Sequence, residues 1–350
     1  LMIRPAPRAR VFPAAKFLAL ALAIVAGLAA GVHTASAASS RGRPITHEDV
    51  WLMKRPGSLA VSPDGRWVVV SVNEPSYDAN GARSDLWLVA ADGGAPARRL
   101  TSGRGSEVEV TFSADGSRIA FLAKRDDDEN AQVYVLPLAG GEAQRLTNWP
   151  GGAKAPRFSP DGQSLLFVGP TSPGAVTEED NRKAAADRKA RRYNVRAYDA
   201  FPIRHWDRWL DELRPSLIVQ SLDGSSPARD LLAGTDLRKQ PGYGGKLENE
   251  GEVIDAAWTP DGRGVVFAAT VNRDEAARAE VRTSLWHVKL EGGEPHRLTG
   301  ADGDYSSPAF TLDGKTLVAK VEPASAQWTY VAARLVRWSW PSLDGRLVLT

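Results

Sequence analysis

Apolar residues along this chain fall in short continuous runs, each introduced by the same kind of turn. Trp67-Val68-Val69-Val70 follows Ser62-Pro63-Asp64-Gly65, and Ile119-Ala120-Phe121 follows Ser113-Ala114-Asp115-Gly116. Leu165-Leu166-Phe167 follows Ser159-Pro160-Asp161-Gly162, and Val265-Val266-Phe267 follows Thr259-Pro260-Asp261-Gly262. Leu317-Val318-Ala319 follows Thr311-Leu312-Asp313-Gly314. Pro presets φ, Asp hydrogen-bonds the local backbone and Gly accepts a left-handed conformation, so each copy predicts a hairpin. A second motif alternates with the first. Leu86-Trp87-Leu88-Val89, Gly93-Gly94 and Arg99-Leu100-Thr101 return as Val133-Tyr134-Val135-Leu136, Gly140-Gly141 and Arg145-Leu146-Thr147. They return again as Leu285-Trp286-His287-Val288, Gly292-Gly293 and Arg297-Leu298-Thr299. Leu217-Ile218-Val219, Asp223-Gly224 and Asp230-Leu231-Leu232 form a degenerate copy.

From the turn glycine of the second motif to the next turn aspartate is 22, 21, 37 and 21 residues. Two hairpins per repeat make four strands, with a period near 50, which is the signature of a β-propeller blade. Runs apolar on both faces suit blades packed on both sides. The expected fold is an all-β propeller of four-stranded blades beginning near Ser62, Ser113, Ser159, Thr259 and Thr311. Ser342-Leu343-Asp344-Gly345 opens a sixth blade or is the second turn of the fifth. The chain stops at Leu349-Thr350 inside a strand, which predicts an unclosed, truncated propeller of five to six blades.

The interval from Asp161 to Asp261 spans 100 residues, yet it holds one pair of motifs. The excess is expected as an insertion over about 171–216, between the second and third strands of that blade. Thr177-Glu178-Glu179-Asp180 reads as a helix N-cap with an acidic first turn. Glu179 with Lys183 and Asp187 with Arg191 would be i,i+4 pairs on a solvated helix. Arg204-His205-Trp206-Asp207-Arg208-Trp209 follows, dense in arginine and aromatics. Strand parity puts both tight turns of every blade on one rim and the long loops, this insertion included, on the other. Function tends to sit on loops held by a rigid scaffold, so the loop-rich rim is the expected working face.

The first residues differ from the rest. Arg4, Arg8, Arg10 and Lys16 precede an apolar run from Phe17 to Val32, and Ala35-Ser36-Ala37 offers a small-x-small site. This predicts a signal peptide over 1–37, cleaved after Ala37, and a periplasmic or secreted propeller domain over 38–350. The competing reading, a retained anchor, has a run just short of a span. The leader carries four cations and no acid, so the +2 of the whole chain becomes −2 for the remainder. No stable membrane anchor is then expected after cleavage, and nothing calls for nucleic acid as a partner. With no cysteine, the chain has neither disulfides nor a thiolate metal site.

Motifs of catalytic chemistry are mostly missing from the sequence. No G-x-S-x-G nucleophile turn occurs in the sequence. His287 and His296 stand at repeat positions held by Leu88 and Arg98 in the first blade, as strand residues would. His33 leaves with the leader, His47 has no apparent partner, and His205 sits among Arg204, Trp206 and Asp207. Asp126-x-Asp128-x-Asn130 imitates a calcium loop, but Ala131 replaces the required Gly and Pro137 the bidentate Glu. It is expected to be a solvated loop tip. No phosphate-cradling loop is found, so no cofactor and no metal are expected.

Ile45-Thr46-His47-Glu48-Asp49-Val50-Trp51, leading to the first Ser-Pro-Asp-Gly turn, resembles the start of bacterial prolyl oligopeptidase family serine peptidases. The branch it is most similar to is the acylaminoacyl-peptidase and dipeptidyl-aminopeptidase group. The run from Arg204 to Trp209 is similar to a segment of that branch. The Ser-Pro-Asp-Gly turns alone also occur in non-enzymatic propellers of the TolB type. The resemblance implies peptide substrates and a C-terminal α/β-hydrolase domain of the same polypeptide, beyond Thr350, supplying Ser, Asp and His. This chain then carries no catalytic residue, and its propeller gates access to short peptides. Arg204, His205 and Trp206 are the substrate-binding candidates within the insertion. Glu178 and Glu179 are added because paired propeller glutamates bind the substrate amino terminus in some relatives, although their surroundings here differ from that motif. The alternative is a non-enzymatic periplasmic scaffold.

Overall fold

The five Asp-Gly turns close in one geometry. In each, the first Ser or Thr donates its hydroxyl to the Asp carboxylate at 2.5–2.6 Å, and that carboxylate accepts an amide two residues on at 3.0 Å. The hydroxyl and then the amide hold Asp64, Asp115, Asp161, Asp261 and Asp313 below the usual carboxylate range. The glycines sit at φ between 67° and 70°, which a side chain would oppose. Successive turns also touch: a Cβ on Gly314 would fall 2.8 Å from Pro260, and one on Gly116 would meet Pro63.

The computed structural model describes residues 43–78, 81–103, 105–125, 127–193, 195–198, 201–248, 251–325 and 331–349. The expected signal peptide, with His33, and Asp126 lie outside them. By its contacts the chain divides into Leu1–Trp51 and Leu52–Thr350. In the first unit the helix His47–Trp51 is capped reciprocally, Thr46 donating its amide to Asp49 at 2.9 Å and accepting the Asp49 amide at 3.3 Å. His47 stacks on Trp51 at 6.4 Å.

The second unit holds five four-stranded antiparallel sheets among the described residues. Their first strands are Arg55–Val61, Glu107–Phe112, Lys154–Phe158, Ala256–Trp258 and Gly303–Phe310. Each Asp-Gly turn therefore joins first to second strand, and each blade starts one strand upstream of the residues that its turn motif suggested. Ser342-Leu343-Asp344-Gly345 separates Arg334–Ser339 from Leu347–Val348 in the fifth sheet, so it is that blade's second turn and not a sixth blade.

Alternate residues of one run serve different neighbours. Ile119 and Phe121 join Val69, Leu86 and Leu88 of blade one, whereas Ala120 and Leu122 join Leu165 and Phe167 of blade three. Leu166 and Val168 face Val265 and Phe267, and Val266 and Ala268 face Leu317 and Val336. Four core clusters thus lie between five consecutive sheets.

Along the innermost strands, hydrogen bonds step from blade to blade. Glu109, Ala155 and Ser307 have φ near +50°, at breaks in strand register that free their amides from the ladder. The preceding blade satisfies each one: Glu109 donates to Ser58 Oγ at 2.8 Å, Ala155 to Glu109 Oε2 at 2.6 Å, and Ser307 to Asp255 Oδ2 at 3.0 Å. Burial raises the Glu109 carboxyl above its ordinary pKa, against the pull of the Ala155 amide.

Replacing Glu109 by Ala leaves the Ala155 amide without this acceptor and should lower unfolding stability by about 1–3 kcal/mol. Glu109→Gln keeps a carbonyl there and should lose less. Urea melts of both variants check the order, and equal losses would show that the hydrogen bond contributes nothing.

Candidate functional site

The loop-rich rim of blades two to four gathers three segments around a cavity of about 990 Å³. The first is the insertion, which runs from 172 to 213 between strands Ser164–Thr171 and Arg214–Ser221, close to the expected 171–216. Its helix, Glu178–Ala190, is capped by Thr177 in a reciprocal box with Asp180. The helix is solvated as expected, with Asn181 its buried residue. Asn181 accepts the Ser172 amide at 2.8 Å and donates to Thr177 O at 3.0 Å, which anchors the helix start. The ion pairs differ from expectation. Glu178 pairs with Arg182, while Arg191 leaves the helix to join Arg188 on Glu212. Lys189 reaches Glu129 in the neighbouring blade's loop.

After the helix, Arg204–His205 and Arg208–Trp209 form a two-stranded hairpin with Trp206 at its tip, 80% exposed. Tyr198 packs on Trp209 at 6.4 Å and donates to Leu210 O at 2.8 Å, closing the base of this loop. Of the five residues expected to bind substrate, His205 lines the cavity. Arg204, Trp206, Glu178 and Glu179 are not among its lining residues, and Glu179 points to solvent.

The second segment was not anticipated. The sequence places the whole excess between Asp161 and Asp261 in the insertion, but part of it lies in the crossover from blade three to blade four. There a short helix, Asp236–Lys239, precedes Pro241-Gly242-Tyr243-Gly244-Gly245 and the hairpin Lys246–Glu248 with Gly251–Val253. The 37-residue spacing in an otherwise 21- to 22-residue series was its signal. Three glycines are demanded by close approach: Cβ atoms on Gly242, Gly244 and Gly245 would fall 2.1–2.4 Å from neighbouring atoms. Tyr243 is fully buried and donates to Pro215 O at 2.9 Å, and burial raises its phenol pKa.

The third segment is the loop after strand Gly264–Thr270, which supplies Arg273. Arg273 is buried and pairs with Glu252, which also accepts the Gly245 amide at 3.0 Å. Burial, with the nearby Arg214 adding to it, pushes the Arg273 pKa down to about 10. Arg214 opens the third strand of blade three and is half-buried, and desolvation lowers its pKa too. Two like charges therefore share the cavity floor. Tyr193, Tyr198, Phe201 and Trp209 supply aromatic wall. Arg214, Arg273 and Tyr243 escaped the sequence reading because none belongs to a recognisable motif.

Blade three also inverts a charge. In blades one, two and five's neighbour, blade four, the Arg-Leu-Thr threonine accepts a third-strand amide at 2.9 Å. In blades one and two the arginine pairs with a buried carboxylate, Asp85 or Asp128. In blade three Asp230 takes the arginine's place, and Arg238 of the crossover helix pairs with it. Arg238 also donates to Ser172 O at 3.2 Å and Ala175 O at 3.3 Å, which ties crossover to insertion. Burial raises the Asp230 carboxyl even with Arg238 beside it. Asp128 corrects the solvated-tip expectation, being buried against Arg145 at 2.7 Å and Tyr134 Oη at 2.7 Å. His287 lies within its strand, edge-on to Trp340 at 5.7 Å, with its pKa lowered by burial, as a structural histidine. Among the described residues no group of metal-ligating side chains is found.

Known proteins agree with this architecture. Residues 81–194 match the family model described as the Tricorn protease N-terminal beta propeller domain. Dipeptidyl-peptidase 5 of Porphyromonas endodontalis is 28% identical over 304 residues, 84% of this chain and 42% of that protein. Acylaminoacyl peptidase of Pyrococcus horikoshii superposes with a TM-score of 0.56 at 12% identity, over 84% of this chain and 39% of that one. A putative TolB from Agrobacterium tumefaciens gives 0.51 at 16% identity, over 85% and 81%. The two structural likenesses speak for the fold alone. By its relatives the chain is similar to the propeller portion of a peptidase family. It spans less than half the length of the curated relative it matches.

Arg238→Met strips the buried Asp230 of its counter-charge and two carbonyls of their donor, and should cost about 3–5 kcal/mol of stability. Chemical denaturation measures this, and a loss below 1 kcal/mol would exclude the tie between crossover and insertion.

Proposed function

We propose that this chain is the substrate-gating propeller of an exported serine peptidase acting on short peptides, its α/β-hydrolase catalytic domain following Thr350 in the same polypeptide. The observation that carries this reading is a cavity lined by arginines and aromatics on the loop-rich rim of a chain that is similar over most of its length to a dipeptidyl-peptidase. Such a surface suits a peptide, whose backbone offers carbonyls and a terminal charge to guanidinium groups and whose side chains pack on rings. The propeller holds the loops and filters by cavity size, while the chemistry belongs to the other domain. His205 lies on the cavity wall, while Arg204 at the open end of the hairpin and Trp206 at its tip lie outside the lining.

Export is the second part of the proposal, and it rests on the basic head, the apolar run and the Ala35-Ser36-Ala37 site. N-terminal sequencing of protein recovered from the periplasm or medium should begin at Ala38. Recovery of an uncleaved chain with the cells would count against it.

Purified residues 38–350 should not react with a fluorophosphonate probe or cleave dipeptidyl chromogenic substrates, because their sequence has no G-x-S-x-G nucleophile turn. The polypeptide extended by its downstream coding sequence should do both. Labelling within 38–350 would refute the assignment of roles, and an inert extended polypeptide would leave a non-enzymatic scaffold.

A further inference from the structure

The cavity is lined by a half-buried charge that has no partner among the described residues. Among the described residues, seven Lys and Arg side chains line the cavity against four Asp and Glu. Arg273 is held by Glu252, Arg188 and Arg191 share Glu212, and Arg196 and Arg208 are exposed to solvent. Arg214 is different. Its guanidinium has no hydrogen bond or ion pair to any described residue, and Asp211 acts on it only through space while accepting the Leu213 amide at 2.9 Å. Arg273 lines the same cavity, and its charge opposes that of Arg214. A half-buried cation that shares a cavity with another cation and lacks a counter-charge destabilises the fold. Its position is explained if a ligand supplies the missing anion.

We propose that Arg214 is a carboxylate-binding subsite for the peptide that enters this cavity, with Arg208 reinforcing it from the hairpin. The inference rests on the peptide-gating reading and names the group recognised there: a peptide carboxylate, whether the terminal one or an acidic side chain. A guanidinium holds a carboxylate through two parallel hydrogen bonds, and partial burial strengthens the pair relative to water. The aromatic wall of Tyr198 and Trp209 leaves room for the residues that precede that carboxylate. A substrate would thereby be gripped on the propeller side by an anion.

The test is calorimetric binding of three peptides to the purified chain: tri-alanine, tri-alanine amide, and Ala-Asp-Ala amide. One of the two carboxylate-bearing peptides should bind at least about tenfold tighter than tri-alanine amide, as a charge-assisted hydrogen bond implies. Tri-alanine as the tighter ligand assigns the terminal carboxylate, and Ala-Asp-Ala amide assigns the side chain. Arg214→Gln should abolish the preference while leaving the thermal midpoint unchanged or higher, since it removes a partly desolvated charge without a counter-ion. Arg214→Lys should keep part of the preference. Three peptides of equal affinity overturn the subsite and leave the peptide-facing rim standing. Binding of none overturns the subsite, and the probe and hydrolysis assays, which do not depend on Arg214, then decide the gating role separately. A preference that survives Arg214→Gln, or a lowered midpoint with unchanged affinities, also overturns it.

Discussion

Everything in this molecule depends on apolar faces buried between consecutive sheets. A four-stranded sheet with both faces apolar is not stable alone in water, and only stacking against another blade removes both faces from solvent. Phe121, Phe167 and Phe267, at one position of successive second strands, are fully buried in these layers. Burying a side chain of that size contributes about 1.5–3 kcal/mol, whereas a net hydrogen bond contributes about 0.5–1.5 kcal/mol. Packing therefore supplies the stability. The bonds from Glu109, Ala155 and Ser307 to the preceding blade set register at the inner strands.

That stack fixes where irregular backbone can go. The rim of Asp-Gly turns is closed by local hydrogen bonds and by prolines lying against the next turn's glycine, which leaves no room for insertions. Additions are absorbed on the opposite rim, where the insertion and the crossover of blade three both emerge. Arg238 shows how two such loops become one surface: a single guanidinium binds Asp230 of the blade, Ser172 and Ala175 of the insertion, and belongs to the crossover. The cavity floor then inherits a rigid frame, and it can hold the opposed Arg214 and Arg273 charges because the four core layers outweigh so local a cost. Stability given up at a binding surface is a common exchange.

The fold was legible from sequence because its determinants are local and repeated. Ser-Pro-Asp-Gly needs only its own five or six residues to close, and an apolar run reports burial whichever neighbour covers it. Those two signals were enough for strand order, hairpins, the loop-rich rim and the insertion bounded near 171 and 216. Local reading reached its limit at pairings between distant residues. It placed Asp128 in solvent, although Arg145, seventeen positions on, and Tyr134 bury it. It paired Arg191 within its helix, although Glu212 holds it. The candidate site was caught at His205 and missed at Arg214 and Arg273. Those two come from a strand start and a loop 59 residues apart, and they line one cavity only because blades three and four stack. The sequence by itself determined the repeating unit, since hydrogen bonds within a turn and apolar periodicity need no partner. Only the tertiary structure decided which charges share the cavity, because burial and long-range pairing exist once the blades are packed.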